Sequence, residues 1–329
     1  MTSPNDGPVL QVKNLTVEYE TARGMLRAAD DVSFELWPGQ RFGLVGESGS
    51  GKTTTALALM RLTQLPGRIV GGEVLLDGVD LLGLSESRMR EMRLAQISYV
   101  PQGAMNSLNP VVKVGNQIAN GFKDHIDDIS RSEISERIVQ VLRSVGLDPS
   151  VSRMYPHELS GGMKQRVAIA IAVSLRPKVI IADEPTSALD VVVQREVMLT
   201  LRTLQEEIGA AVLIVGHDMG LMAQFASHVG VMYAGRLVEV GQVLDIFDDP
   251  FHPYTRALIA SLPSPNRRHR LAGIPGLPPA LLELPSGCSF NPRCESVMEV
   301  CRSVDPDYDQ IREGRWASCH LYSESGALT

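Results

Sequence analysis

Long apolar segments are missing from this sequence of 329 residues. It has no run of about 18 uncharged apolar residues, the length at which a helix can cross a bilayer. The strongest apolar run, at residues 210–215, is followed closely by His217 and Asp218. Residues 1–9 also lack the basic and then apolar pattern of a secretory signal. We therefore expect a cytosolic chain, whose role at any membrane would depend on partner proteins.

An excess of basic residues is missing as well. Thirty-one Lys and Arg residues face 38 Asp and Glu residues, which gives a net charge of −7 and a pI near 5.6. Proteins that bind nucleic acids generally carry a basic balance or a basic stripe. The charge therefore argues against general nucleic-acid binding, and we expect no nucleic-acid partner.

Cysteine is scarce and confined to one end of the chain. All four cysteines lie between residues 288 and 319, and ten of the 20 prolines lie in the last 80 residues. This change of composition predicts a boundary near residue 250, followed by a small, loop-rich module at 251–329. In a reducing cytosol, cysteines rarely form disulfides.

Short apolar runs alternate with segments of helical periodicity, which predicts an α/β fold with a mixed sheet. Residues 9–19 and 32–36 alternate between apolar and polar side chains, as expected of an antiparallel edge. Continuous apolar runs predict buried parallel strands at 41–45, 179–182 and 212–215. Helical spacing of apolar residues predicts helices at 53–62, 133–145 and 165–175.

A phosphate-binding loop follows the strand predicted at residues 41–45. Residues 46–53 match the pattern G-x-x-x-x-G-K-[ST], in which backbone N–H groups and a helix N-terminus surround a phosphate chain. We expect Lys52 to bridge the β- and γ-phosphates and Thr53 to hold Mg²⁺. The predicted phosphate contacts are Gly46, Glu47, Ser48, Gly49, Ser50, Gly51, Lys52, Thr53 and Thr54.

Two acidic residues end the apolar strand at 179–182. Asp183 is predicted to bind Mg²⁺ and Glu184 to act as the general base toward water. Such a pair alone is equally compatible with a solvated loop. Its position downstream of a phosphate loop favours the catalytic interpretation, since phosphates lie at the carboxyl edge of such sheets.

A second anion-binding helix start occurs at residues 159–166, with the sequence LSGGMKQR. This segment resembles the signature sequence of ABC (ATP-binding cassette) ATPases. The resemblance implies that two ATP molecules lie between two head-to-tail subunits, each capped by the signature of the opposite subunit. The signature residues implied to contact that ATP are Ser160, Gly161, Gly162 and Gln165.

Other positions of the ABC family follow in the expected order. The resemblance implies that Tyr19 stacks on adenine, although a lone Tyr at a strand end is also typical of ordinary packing. It implies that Gln102 senses Mg²⁺ and the attacking water, that residues 187–190 cross the dimer interface, and that His217 contacts the γ-phosphate. It further implies a P-loop NTPase (RecA-like) cassette at 1–250, with its core at 9–248 and a helical signature subdomain at about 103–175.

The resemblance extends beyond the cassette. Residues 102–110 (QGAMNSLNP), 252–258 (HPYTRAL) and 287–294 (GCSFNPRC) are similar to segments of dipeptide and oligopeptide importer ATPases. That family implies a second, related ATPase subunit, two transmembrane permeases and an extracytoplasmic solute-binding protein. It also implies a peripheral position at the cytoplasmic face of the inner membrane. Some members import nickel or oligosaccharides, so the substrate class is only loosely constrained.

The four cysteines are Cys288, Cys294, Cys301 and Cys319. Their spacing lacks the C-x₂-C knuckles usual in structural zinc sites. Four thiolates can hold a [4Fe–4S] cluster, and some members of the resembling family carry one in this segment. A cluster is therefore expected, with a zinc site or unligated thiols as alternatives.

A soluble ABC ATPase that acts on ribosomes or DNA is the competing class of function. Ribosome-associated members usually fuse two cassettes, and DNA-repair members insert a long coiled coil between the phosphate loop and the signature. The sequence has neither feature, so it favours the transport ATPase.

Overall fold

The computed structural model describes residues 7–103, 107–262 and 273–322. These residues form two compact units, each assembled from several chain segments. The first unit comprises residues 7–10, 36–40 and 76–214, and the second comprises 11–35, 41–75 and 215–322, within the described ranges. The predicted boundary at residue 250 stays a prediction.

The strands of the described residues are β1 (Leu10–Thr21), β2 (Gly24–Leu36), β3 (Arg41–Val45), β4 (Gly67–Leu76), β5 (Val79–Asp80), β6 (Ile97–Val100), β7 (Val179–Asp183), β8 (Ala211–Gly216), β9 (His228–Tyr233), β10 (Arg236–Gln242), β11 (Asp309–Arg312) and β12 (Arg315–Ala317). The α-helices are α1 (Lys52–Leu59), α2 (Glu86–Met92), α3 (Val114–His125), α4 (Arg131–Ser144), α5 (Gly161–Val173), α6 (Val191–Ile208), α7 (Met219–Phe225), α8 (Val243–Asp248) and α9 (Pro253–Ala260).

The first unit combines buried strands with packed helices. Strand β6 pairs in parallel with β7, and β8, whose residues up to Ile214 belong to this unit, lies on the other side of β7. Every residue of β7 and β8 is buried, as their continuous apolar runs predict. Helices α3, α4 and α5 pack on one another, and α5 also packs on α6. The parallel strands bring the end of β7 to one edge of the sheet.

The second unit contains antiparallel as well as parallel pairing. Strands β3 and β9 pair in parallel, whereas β9–β10, β10–β12 and β11–β12 pair antiparallel. Strands β2, β1 and β4 are neighbours in a separate sheet. The predicted α/β class with a mixed sheet and an antiparallel part is thereby confirmed.

Strand β2 begins at Gly24, eight residues before the predicted start at Val32. The added segment carries charged residues that obscure the alternation, but it pairs with β1 as a hairpin. Arg27 donates to Glu18 across this hairpin, with Nε and Oε1 2.8 Å apart. This ion pair across the hairpin stabilises a charged segment that the sequence pattern alone would assign to a loop.

None of the helices in the described part of the chain has the length and apolar character needed to span a membrane.

Candidate nucleotide-binding site

The phosphate loop follows β3 in the second unit, and its glycines are required by close backbone packing. Gly46 has φ 152° and Gly51 has φ 102°, both unfavourable for other residues. A Cβ atom on Gly46 would lie 2.2 Å from the carbonyl oxygen of Met232, and one on Gly51 would lie 2.1 Å from that of Ala28. Any side chain at these positions would displace the loop.

Lys52 is the first residue of α1 and is 6% exposed. Its Nζ donates to the carbonyl oxygens of Gly46 and Glu47, at 2.9 and 2.8 Å, and to Ser50 Oγ at 3.2 Å. The loop therefore curls around the ammonium group. Thr53 and Thr54 follow in the first turn of the helix and are half-buried.

Tyr19 and His217 also belong to the second unit. Tyr19 lies near the end of β1 with a half-exposed ring, and a Cβ on Gly67 would come within 2.6 Å of its Cε1 atom. The missing side chain of Gly67 thus makes room for the ring. His217 is exposed and lies between β8 and Asp218, the N-cap of α7.

The acidic residues lie at the end of β7 in the first unit. Asp183 is completely buried, and its Oδ2 accepts a hydrogen bond from the Tyr99 hydroxyl at 3.0 Å. Burial, together with the Asp183 charge, raises the pKa of Tyr99 far above its ordinary value. Tyr99 therefore stays a neutral donor that fixes the orientation of the carboxylate.

Glu184 is half-buried and has the left-handed φ of 42°. Its Oε2 accepts a hydrogen bond from Gln102 Nε2 at 2.8 Å. The first unit thus brings together the predicted general base and the predicted sensor residue, which lie 82 positions apart in the sequence. Positive φ at a non-glycine residue is strained, and such strain often accompanies functional sites.

The signature segment caps a helix. Ser160 is exposed, and its Oγ accepts from the backbone N–H of Met163 at 3.3 Å, at the start of α5. A Cβ on Gly162 would lie 2.6 Å from Cγ1 of Val193, so this glycine allows close contact with the first turn of α6. Gln165, which was also predicted to contact ATP, is only 3% exposed, whereas Ser160 is exposed.

The predicted interface residues 187–190 lie beside the signature. Asp190 caps α6 by accepting from the N–H groups of Val192 and Val193. Ser160, Gly161, Ala188 and Asp190 are among the residues that line one open cleft of about 400 Å³. The first unit therefore presents two neighbouring helix starts to the same cleft.

The four cysteines converge in the second unit, although they span 32 residues of sequence. None forms a disulfide, and all four line one narrow cavity together with His252 and Phe290. Burial raises the pKa of Cys288 to about 12 and that of Cys319 to about 11. Among the residues that the structure describes, no group of three or more His, Cys, Asp or Glu residues is spaced to hold a single metal ion.

Two residues that were not predicted as site residues contact the phosphate loop. Arg293 donates to both carboxylate oxygens of Glu47, and the Tyr254 hydroxyl accepts from the Glu47 backbone N–H. Both lie in the C-terminal segments that carry the importer resemblance, 252–258 and 287–294. The resemblance marked these segments, but no spacing rule connects them to Glu47.

Comparison with known proteins identifies the family. The ABC transporter family model matches residues 29–187, and the model of the oligopeptide/dipeptide transporter C-terminal region matches residues 238–301. The oligopeptide transport ATP-binding protein OppD of Escherichia coli is 43% identical over 314 residues, which cover 94% of this chain and 92% of the relative. The dipeptide transport ATP-binding protein DppD of Escherichia coli is 40% identical over 315 residues, covering 95% and 96%.

A solved dimeric bacterial ABC transporter cassette matches with a TM-score of 0.64 and 28% identity, and covers 71% of this chain and 98% of its own. The same cassette was solved in a post-hydrolysis state with ADP and Pi. The chain belongs to the ABC transporter family of ATP-binding cassettes, and it is an ABC-type ATPase. Within that family it belongs to the ATP-binding proteins of oligopeptide and dipeptide transporters.

Proposed function

We propose that this chain is the ATP-hydrolysing subunit of an importer for dipeptides or oligopeptides. The observation that carries the proposal is the oligopeptide/dipeptide C-terminal region at 238–301, adjoining a cassette with a phosphate loop and a signature. Relatives named for oligopeptide and dipeptide transport, similar over nearly the whole chain, support the same substrate class. Nickel and oligosaccharide import remain the alternatives.

The second unit would bind the triphosphate. Backbone N–H groups of the loop and the N-terminus of α1 favour an anion. Lys52 would release its present acceptors and contact the β- and γ-phosphates, and the half-exposed ring of Tyr19 would stack on adenine. The exposed His217 would contact the γ-phosphate. Each of these steps binds or orients ATP, which is the main contribution a protein makes to phosphoryl transfer.

The first unit would supply the catalytic carboxylate. Glu184 would accept the proton of the attacking water, and Gln102, which already donates to it, would hold the carboxylate in place. Asp183 and Gln102 of this unit would contact Mg²⁺. Magnesium generally binds through one or two carboxylates, waters and the phosphates themselves, so a carboxylate such as Asp183 is a suitable protein ligand for the ion.

The signature cleft of the first unit would cap the ATP held by another subunit. The exposed Ser160 and the N-terminus of α5 fit an anionic γ-phosphate, and the adjacent residues 187–190 would lie across the interface. The solved relative is dimeric, which supports this arrangement. ATP bound by two subunits would hold them together, and hydrolysis would let them separate.

A pull-down from detergent-solubilised membranes tests the assembly. We expect the tagged chain to recover a second, related ATPase, two permeases and a solute-binding protein, consistent with a peripheral position at the cytoplasmic face of the inner membrane. The ligand of the recovered binding protein then names the substrate. Recovery of ribosomal or DNA-repair proteins without membrane proteins would contradict the importer.

We further propose that Cys288, Cys294, Cys301 and Cys319 hold a [4Fe–4S] cluster. The four cysteines line one narrow cavity, and cysteine thiolates are the ligands that hold such clusters, which supports the proposal. The cluster would cross-link the C-terminal segment, which has little regular structure between residues 273 and 308. Metal binding would thus contribute directly to folding of this region.

Anaerobic purification tests the cluster. We expect a brown protein that absorbs at about 400 nm and contains iron and acid-labile sulfide. Cys301→Ser should lower the iron content strongly, whereas Ser303→Ala, two residues away, should leave it unchanged. A colourless anaerobic protein with zinc, or with no metal, would rule the cluster out.

A further inference from the structure

Glu47 of the phosphate loop forms a two-point ion pair with the C-terminal segment. Arg293 Nη1 lies 2.7 Å from Glu47 Oε2, and Nη2 lies 3.0 Å from Oε1. The Arg293 side chain is 5% exposed and that of Glu47 is 24% exposed. Parallel Arg–carboxylate pairs of this kind fix direction as well as distance.

Arg293 is itself fixed in position. Its Nε donates to the carbonyl oxygen of Pro275 at 2.8 Å. Its guanidinium carbon lies 5.8 Å from the ring centre of Tyr233 and 5.9 Å from that of Phe290. A guanidinium held by rings and a carbonyl loses little freedom when it binds a carboxylate.

A second contact reaches the backbone of the same residue. The Glu47 N–H donates to the hydroxyl of Tyr254 at 2.8 Å. Tyr254 is fully buried, and its ring packs against Tyr233 and Phe290, with ring centres 4.5 and 5.4 Å away. Side chain and backbone of Glu47 are therefore both held by residues from the C-terminal part of the chain.

The position of Glu47 within the phosphate loop explains why its contacts with Arg293 and Tyr254 matter for nucleotide binding. Its carbonyl oxygen accepts from Lys52 Nζ at 2.8 Å, so its backbone belongs to the loop that curls around the phosphate-binding ammonium. An unpaired carboxylate in that loop would repel a triphosphate. The positive charge of Arg293 balances that of the Glu47 carboxylate and holds this carboxylate toward the C-terminal segment.

We propose that Arg293 and Tyr254 are positioning residues for ATP binding, through which the C-terminal segment sets the geometry and charge of the phosphate loop at Glu47. The proposal rests on the proposed function of the loop as the ATP site. It assigns the C-terminal segment a direct role in nucleotide affinity, separate from any metal it holds.

The test is a double-mutant cycle on the full chain, with MgATP affinity measured by equilibrium binding. Arg293→Gln should weaken MgATP binding about tenfold, within the range of coupling between residues in direct contact. Glu47→Gln should lose less affinity for MgATP than Arg293→Gln, because it leaves no uncompensated carboxylate beside the phosphates. In the Glu47→Gln background, Arg293→Gln should cost less than about threefold, because the carboxylate that it neutralises is gone.

Kinetics in the assembled transporter separate positioning from catalysis. Arg293→Gln should raise KM for ATP while kcat changes less than about twofold, the pattern of lost uniform binding. Arg293→Lys should restore part of the affinity. Tyr254→Phe, which removes only the hydroxyl, should also weaken binding. Arg302→Gln is the matched control, since its guanidinium is exposed and lies 4.0 Å from Glu299.

Equal losses for Arg293→Gln in both backgrounds would overturn the proposal, since they would show an effect that does not pass through Glu47. Unchanged affinity in Arg293→Gln and Tyr254→Phe would overturn it as well. If Arg293→Gln does not fold, Tyr254→Phe decides, and unchanged affinity in that variant alone would overturn the proposal. Failure of the unaltered chain to bind MgATP would instead overturn the proposed function, so the two failures are distinguishable.

Discussion

Replacing Glu184 by glutamine should lower ATP hydrolysis at least about a hundredfold, which is on the order of 3 kcal/mol of activation free energy. The amide keeps the size of the side chain and can still contact Gln102, whose Nε2 lies 2.8 Å from the carboxylate. It cannot accept the proton of the attacking water. ATP binding should therefore persist, since the phosphate loop and Lys52 are unchanged.

Phosphate release by the assembled transporter and equilibrium ATP binding measure the two effects separately. Glu133→Gln is a suitable control, because this carboxylate belongs to the same unit and pairs with Arg137 along α4. The control should hydrolyse ATP at the unaltered rate. Near-normal turnover in Glu184→Gln would remove Glu184 from the role of general base.

Replacing Arg315 by leucine should lower the free energy of unfolding by about 3–5 kcal/mol, as expected when one member of a buried ion pair is removed. Arg315 Nη2 lies 2.9 Å from Oε1 of Glu239, which is fully buried. The same carboxylate accepts from the N–H groups of Phe251 and His252, at 2.8 and 2.9 Å. Without Arg315, a buried negative charge would remain without its cation.

The loss of stability should depend on pH. Burial raises the pKa of Glu239 above its ordinary value even with Arg315 present. Removal of the cation raises this pKa further. The native variant then binds a proton that the unfolded chain releases, so its stability falls as the pH rises above the unfolded-state pKa. The difference from the unaltered chain should be smaller at pH 5 than at pH 8.

Urea unfolding of both chains at the two pH values measures this effect. Arg302→Leu, which removes an exposed guanidinium, should change the stability by less than about 0.5 kcal/mol. A loss in Arg315→Leu that is equal at both pH values would show that packing of Arg315 on Phe251, 3.7 Å from the ring centre, accounts for the effect instead of the charge.

Much of the fold was predictable because its signals are local. The strand predicted at residues 41–45 is β3, and the helices predicted at 133–145 and 165–175 overlap α4 and α5. Short apolar runs and helical spacing report which face of an element is buried. The start of β2 was missed, because its charged residues pair across the hairpin with residues that a local pattern does not include.

The candidate site also combines segments that the local sequence predicts with contacts that it does not predict. The backbone conformations of residues 46–53 and 159–166 were predictable from the segments themselves. Their glycines, the lysine and a capping serine act on residues within one turn. The contact between Gln102 and Glu184 and the common cavity of the four cysteines were not encoded by any spacing. The resemblance named these residues without showing where they meet.

The sequence by itself determined the family, the phosphate loop, the signature and the acidic strand end, because each is a short segment whose chemistry and backbone conformation arise from adjacent residues. Only the tertiary structure decided that Arg293 meets Glu47 across 246 positions, and that Glu239 is buried against Arg315. Such contacts depend on the path of the whole chain. Burial then determines the electrostatic strength of each pair. A local sequence pattern shows neither the contact nor its burial.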